Sequence, residues 1–447
     1  MARIEEPLRN VEATPSEMAV PQTGDVVQQS QAAAHKAELA VAPELVAGSL
    51  REYAHAWFAR LRGGESGVLP VVVGLFAIAL IFQSRNSAFL SAGNLTNLLV
   101  QGAVFMLLGM GEVFPLLLGE IDLSIGFVSG IGGVVTAELV VEPRGWPWWA
   151  AILVALAATF VIGAVHGTLI TRLHLPSFVV TLAGLLGWQG VMLLMLGSGG
   201  TFPIPNNVIN DLANGNLAPW AGWAVMGALV GGFAWLTIAK DGKRRRSGLV
   251  AVPFSLTVLK IVSAAVAGVV LVLICNTNRG ALVPIEGVPW VVPIVLGVLF
   301  AWTVVLGRTR FGRYIYAIGG NSEAARRAGI NLARIRTAAF ACASMTAGIG
   351  GIIYASRLRS VSTSLDGGTL VLYSVAAAVI GGTSLFGGRG KAVHAVLGGL
   401  VIAAIYNGMG LLGMSAASQY MITALVLLAA VTVDAVARRG RTATGRV

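Results

Sequence analysis

Charge is scarce in this sequence. Only 11% of its 447 residues are Asp, Glu, Lys or Arg, against 56% hydrophobic residues and a mean hydropathy of +0.79, which excludes an ordinary soluble domain. Acids are fewer than bases, 20 against 31, so the net charge is +11. In a soluble chain that excess would point to nucleic acid. Here the basic residues stand in short loops between apolar runs, where membrane orientation and anionic lipid account for them, and no nucleic-acid partner is inferred. Cysteine is nearly absent: Cys275 and Cys342 lie in or beside apolar segments and read as packing residues. No His/Cys/acid cluster has metal-site spacing and no nucleophile elbow occurs, so no catalytic residue, metal or cofactor is assigned, and the chain does not read as an enzyme. A phosphate-binding loop is missing too, because Gly387-Gly-Arg-Gly-Lys391 lacks the leading glycine and trailing hydroxyl that hold phosphates and magnesium. If ATP drives this protein, another subunit hydrolyses it.

What the chain has in abundance is apolar runs of spanning length. They lie near residues 68–84, 96–118, 123–141, 148–170, 176–197, 219–238, 254–275, 288–306, 337–356, 370–387, 391–412 and 417–436. The fold class is therefore an all-α polytopic membrane protein with about 12 transmembrane helices. Lys and Arg collect in alternate loops: Arg51, Arg60 and Arg62; Arg172; Lys240 and Lys243 to Arg246; the stretch from Arg308; Arg389 and Lys391; and Arg438, Arg439 and Arg441. By the positive-inside rule both termini are cytoplasmic. Trp146, Trp148, Trp149, Trp220, Trp223 and Trp290 fall at the outer boundary of that frame, and Trp57 and Trp235 at the inner one, as an interfacial belt. Residues 1–47 are polar and rich in Ala, Glu, Gln and Pro, without the apolar core of a cleavable signal, and read as a disordered cytoplasmic tail. Residues 48–439 form the transmembrane domain, with a cytoplasmic loop at 307–336, and 440–447 a basic tail.

Two stretches carry more than topology. From Arg308 to Arg336 the chain holds seven arginines against one acid, Glu323. A turn at Gly319-Gly320, a cap at Asn321 or Ser322, a short helix from Glu323 to Ala328 and a stop at Gly329 are expected there. A loop that only fixed topology would need scattered arginines and no such order; a capped short helix between two spans suits transmission of a push from a soluble partner. The second stretch, Gly109 to Gly133, sets Glu112, Glu120 and Asp122 among glycines with Pro115 between apolar runs. Acids at that depth face a protein interior or a water-filled path, and the glycines permit an interrupted span; a tight cytoplasmic turn with solvated acids is the alternative. Gly119 to Gly126 and Gly381 to Gly388 share the pattern G-x-x-x-L-x-x-G, as pseudo-repeated halves of a transporter would, and the two loops are read as pairing across the path. Gln101, His166, Thr181, Gln189, His394 and Asn407 stand within apolar runs and read as interhelical hydrogen-bonding residues.

The runs TRFGRYIYAIGGNSEAARRAGIN (309–331), GEIDLSIG (119–126), PSFVVTLAG (176–184), AAAVIGGTSLFGG (376–388) and YNGM (406–409) occur in this order along Val68 to Arg439. With them the chain resembles the permease subunits of ATP-binding-cassette sugar importers, and the span pair at 219–275 is similar to the longer, xylose-type members. The resemblance implies a multi-pass protein of the bacterial inner membrane, a permease homodimer with the path at its centre, a partner ATPase subunit, a periplasmic or extracellular sugar-binding protein, and inward movement of a monosaccharide by alternating access, a xylose-type pentose favoured. It implies ATPase coupling for Asn321, Glu323, Ala324, Ala325, Arg326 and Gly329, and a translocation path at Glu120, Asp122, Ser124, Thr383, Ser384 and Asn407. The chain departs from the family where Val371-Leu372-Tyr373 replaces the common Glu-Leu-Asp and where Tyr406 replaces Asp or Asn, so the cargo is the point most open to change. The competing readings are an ion-coupled secondary transporter using Glu112, Glu120 or Asp122 as a relay, an importer permease for another sugar or for branched-chain amino acids, and a lipid-facing scaffold.

Overall fold

The structure, a computed structural model, describes residues 51–53, 55, 69–248 and 253–443. The tail expected at 1–47, Trp57, Arg60 and Arg62, and residues 444–447 of the basic tail lie outside the described residues. In chain order the helices are α1 (Leu69–Arg85), α2 (Ala92–Leu117), α3 (Ile125–Val140), α4 (Trp148–Arg172), α5 (Ser177–Leu196), α6 (Asn207–Asn214), α7 (Pro219–Arg246) and α8 (Phe254–Asn276). They continue with α9 (Val291–Arg308), α10 (Arg310–Gly320), α11 (Ser322–Arg327), α12 (Leu332–Leu358), α13 (Gly367–Ile380), α14 (Ala392–Leu411) and α15 (Ala416–Ala443). Eight of these, α2, α4, α5, α7, α8, α9, α12 and α14, are long and apolar enough to cross a membrane among the described residues, while α1, α3, α13 and the apolar part of α15 are shorter. The protein is an all-α polytopic membrane protein, and its apolar helices stand where the apolar runs were read. Two three-residue strands are an addition the sequence did not announce: β1 (Thr201–Pro203) pairs antiparallel with β2 (Ser360–Ser362), Thr201 opposite Ser362.

The chain divides into two units. The smaller holds residues 237–259, where the Thr257 hydroxyl donates to the Asp241 carboxylate at 2.6 Å. The larger, residues 61–236 and 260–447, contains every residue discussed below. Its centre is α12, which packs along α2, α3 and α4. Lipid tails are as apolar as leucine, so helix association in a membrane depends on close van der Waals fit, and small residues supply it. Gly163 of α4 lies against the Phe340 carbonyl, and a Cβ on Gly132 of α3 would come within 2.7 Å of Gly348 of α12. The peripheral helices instead turn Leu153, Phe160, Leu186, Leu194, Val266 and Phe300 outward. Such apolar faces are stable only against lipid or another apolar surface.

One local expectation is corrected. Gly319-Gly320 does not form a turn; α10 runs through both glycines. Thr309 starts that helix by accepting from the Gly312 amide at 3.2 Å, and Ile315 and Ile318 bury one face, so the packing sustains the helix to Gly320. The chain turns at Asn321, which is extended at φ −159°.

Candidate coupling site and interrupted motifs

The six-residue helix α11 is held at both ends. Asn321 caps it, its side-chain oxygen accepting from the Ala324 amide at 2.9 Å. At the other end the Gly329 amide donates to the Arg326 carbonyl at 3.0 Å and the Ile330 amide to the Ala325 carbonyl at 3.1 Å, with Gly329 at φ +80°. This is a Schellman stop, and the left-handed residue in it favours glycine. Glu323 pairs with Arg326 at 2.9 Å and Arg327 at 3.0 Å on the exposed side. Hydrogen bonds from Arg326 and Arg327 hold the Glu323 carboxyl below the usual glutamate value, so the pairing is complete at neutral pH and is lost only as pH falls through that lowered value. Asn321, Glu323, Ala324, Arg326 and Gly329 are exposed, whereas Ala325 is buried and anchors the helix to the body of the protein.

The helix before α11 makes a backbone junction with both glycine-rich connections. Gly319 of α10 lies against the carbonyl of Leu117, where α2 ends, and against the amide of Gly388. The Gly388 amide itself donates to the Leu117 carbonyl at 2.9 Å, and the Tyr316 hydroxyl donates to the Gly390 carbonyl at 2.7 Å. Gly119 rests on the Phe386 carbonyl. The connections after α2 and after α13 thus touch one another and the end of α10. At Gly319 a Cβ would collide with the Leu117 carbonyl and the Gly388 amide, so this approach requires glycine there. Within this junction Ser384 donates its amide to the Arg389 carbonyl at 2.8 Å and accepts from the Phe386 amide at 3.2 Å, while Thr383 is buried with its hydroxyl unpartnered.

Glu120 belongs beside this face. Its carboxylate lies 3.1 Å from Arg336 in α12, an ion pair whose angle does not make a hydrogen bond, at the edge of a cavity of about 440 Å³ lined also by Thr171, His174 and Ser177. Asp122 is fully buried. Its Oδ1 accepts from the Ser124 amide at 2.9 Å and the Ser124 hydroxyl at 2.5 Å, and its own amide donates to Glu112 Oε1 at 3.0 Å. The indole of Trp188 can only donate, and does so to His166 Nε2 at 2.9 Å. The proton of a neutral His166 therefore sits on Nδ1, 3.2 Å from the Ser124 hydroxyl, an assignment that follows from the network. Trp188, His166, Ser124 and Asp122 form one directed chain. Asn407 is elsewhere, accepting from Asn94 at 2.8 Å and facing Gln101 at 3.4 Å across α2 and α14.

The six residues expected along a path thus fall into three places: Glu120, Thr383 and Ser384 near the junction, Asp122 and Ser124 in the buried chain, and Asn407 between two helices. Sequence reading missed the partners that explain them. Arg336 was one arginine among seven, and nothing in the local pattern around Trp188 signals its bond to His166. Tyr373 and Tyr406, the two departures from the resembling family, meet in space with ring centroids 6.1 Å apart, each edge-on to Phe105. Among the described residues no group of His, Cys, Asp and Glu could hold a metal ion.

A protein family described as branched-chain amino acid transport system / permease component matches residues 94–431. The xylose transport system permease protein of Escherichia coli is 36% identical over 387 residues, covering 86% of this chain and 95% of that protein. Its counterpart from Haemophilus influenzae is 34% identical over 371 residues, 82% of this chain and 96% of that one. The ribose import permease protein of Escherichia coli is 29% identical over 364 residues, 81% and 92% of the two chains. No solved structure matches the chain. The matched region takes in α11, the junction and the buried chain of Asp122, and the protein belongs to this family of membrane transport permease components.

Proposed function

We propose that the protein is the membrane-spanning subunit of an ATP-binding-cassette importer that moves a monosaccharide inward, a xylose-type pentose favoured, while a separate subunit hydrolyses ATP. The supporting observation is the glycine junction, because it brings the end of α10, next to the exposed helix α11, into backbone contact with both interrupted motifs. In this reading the complex sits in the bacterial inner membrane with twelve spans and both termini cytoplasmic. Two copies of the chain flank the path, two ATPase subunits engage α11, and a sugar-binding protein delivers cargo on the opposite face. Closure of the ATPases displaces α11 as a rigid body. The displacement passes along α10 to Gly319 and moves the end of α2 and the connection after α13 together, so that the halves rock and the path changes its opening. Glu323, Arg326 and the exposed face of Ala324 meet the ATPase; Ala325 and Gly329 keep the lever in shape.

A second reading has its own observation. Glu112 Oε2 and Asp122 Oδ2 are buried without a hydrogen-bond partner, as an ion-coupled relay would require. The coupling reading is tested by a single cysteine at Ala324, crosslinked in membranes that hold the candidate ATPase. The expected result is a crosslink to the ATPase whose yield changes on ATP binding. No crosslink at Ala324, with uptake intact, would leave the lever without its partner.

A further inference from the structure

At the far end of α12 from the lever, a cavity of about 230 Å³ opens where α12, α13, α14 and α15 converge. At about 1.5 Å per residue, the run from Leu332 to Arg357 puts it roughly 38 Å from the coupling face. Its volume is that of about seven or eight waters, the scale of one sugar ring and less than two. The lining combines Arg357, Asp366, Tyr354, Tyr373, Tyr406 and Tyr420.

Three features distinguish it from a packing defect. The first is Arg357, half-buried in the last turn of α12, which makes no ion pair or hydrogen bond within the described residues. A half-buried guanidinium lining the cavity has donors free for an acceptor held there. The second is Asp366, which is fixed in place: it caps α13 by accepting from the Thr369 amide at 3.0 Å, takes the Thr369 hydroxyl as well, and accepts from the Tyr420 hydroxyl at 3.2 Å. The third is aromatic. Tyr373 and Tyr406 stand at 68° to one another, and the hydroxyls of Tyr354 and Tyr406 have no hydrogen-bond partner within the described residues.

We infer that this cavity is a receiving site for one sugar ring on the permease itself, at the face where cargo is delivered. Ring C–H groups pack on the tyrosine faces, and vicinal hydroxyls accept from Arg357 and exchange hydrogen bonds with Tyr354 and Tyr406. Asp366, accepting three hydrogen bonds, is held in place as a fixed acceptor at the edge of the site. The inference rests on the proposed monosaccharide cargo. A transit site must also release its load, so binding is weak, of the order of millimolar.

The test is a cysteine at Ala416, exposed on the rim of the cavity, labelled with a maleimide in the assembled importer. The parent chain serves as the blank, since its Cys275 is buried and Cys342 half-buried. At about 10 mM xylose or ribose, tenfold above a millimolar dissociation constant, labelling slows roughly tenfold, and leucine has no effect. Arg357→Gln and Tyr406→Phe remove the protection without changing the rate in the absence of sugar. If no sugar slows labelling while the same preparation carries out ATP-driven uptake, the site is refuted and the importer reading stands. Protection without ATP-driven uptake refutes the importer reading and keeps the site. Protection by leucine alone, or labelling blocked without sugar by a second copy of the chain, overturns the inference.

Discussion

A carboxylate shut away from water relies on nearby donors, and those of Asp122 are local and fall on one of its two oxygens. Its Oδ1 takes both the amide and the hydroxyl of Ser124, two residues on, and its amide ties the connection back to Glu112 in α2. The side chain thereby starts α3 at Ser124, where no side-chain cap is present. Asp122→Asn keeps the Oδ1 acceptor and is expected to melt close to the parent. Asp122→Ala strands two buried donors and is expected to cost about 2–4 kcal/mol. Thermal unfolding of the purified proteins checks this; an alanine variant that melts with the parent would show that the network does not hold the connection. The acids among glycines were legible as unusual in the sequence. How each is held was not: Glu120, its side chain only 11% exposed, is paired to Arg336 beside a cavity while Asp122 is sealed, a difference set by residues far off in the chain.

At the scale of the element, α11 is too short to persist on propensity alone, since the first turn of a helix costs more than it returns. Its cap, its Schellman stop, the Glu323 pairs and the buried Ala325 supply what length does not. Gly329→Ala forces a Cβ into left-handed backbone at a cost of about 1–2 kcal/mol. The expected outcome is faster amide exchange across residues 322–330 with α12 unchanged, together with reduced uptake. Equal protection in parent and variant would mean that the stop does not stabilise the lever. Asn321 and Gly329 could be read from sequence because caps are local chemistry. Gly319 could not, because its glycine serves an approach to Leu117 and Gly388 rather than a turn, and backbone contact between distant segments leaves no trace in a pattern of side chains.

For the whole molecule, hydropathy located the apolar helices, since burial in lipid imposes one requirement on every span. The arginine-rich segment and the glycine connections could be found separately, as composition. That they meet in space came only with the fold, through the contacts of Gly319, Gly119 and Gly388. So did the convergence of Tyr373 and Tyr406 on one cavity at the other end of α12. In the proposed account α11 is a lever at one end of α12, next to the glycine junction, and the polar, aromatic pocket lies at the other end of α12. The measurement that tests this arrangement most directly is uptake of radiolabelled xylose into proteoliposomes holding the chain, its ATPase and its binding protein, with each component and ATP omitted in turn. The account predicts uptake only when all are present. Uptake by the chain alone under a proton or sodium gradient, indifferent to ATP, would contradict it and assign the transport to Glu112 and Asp122.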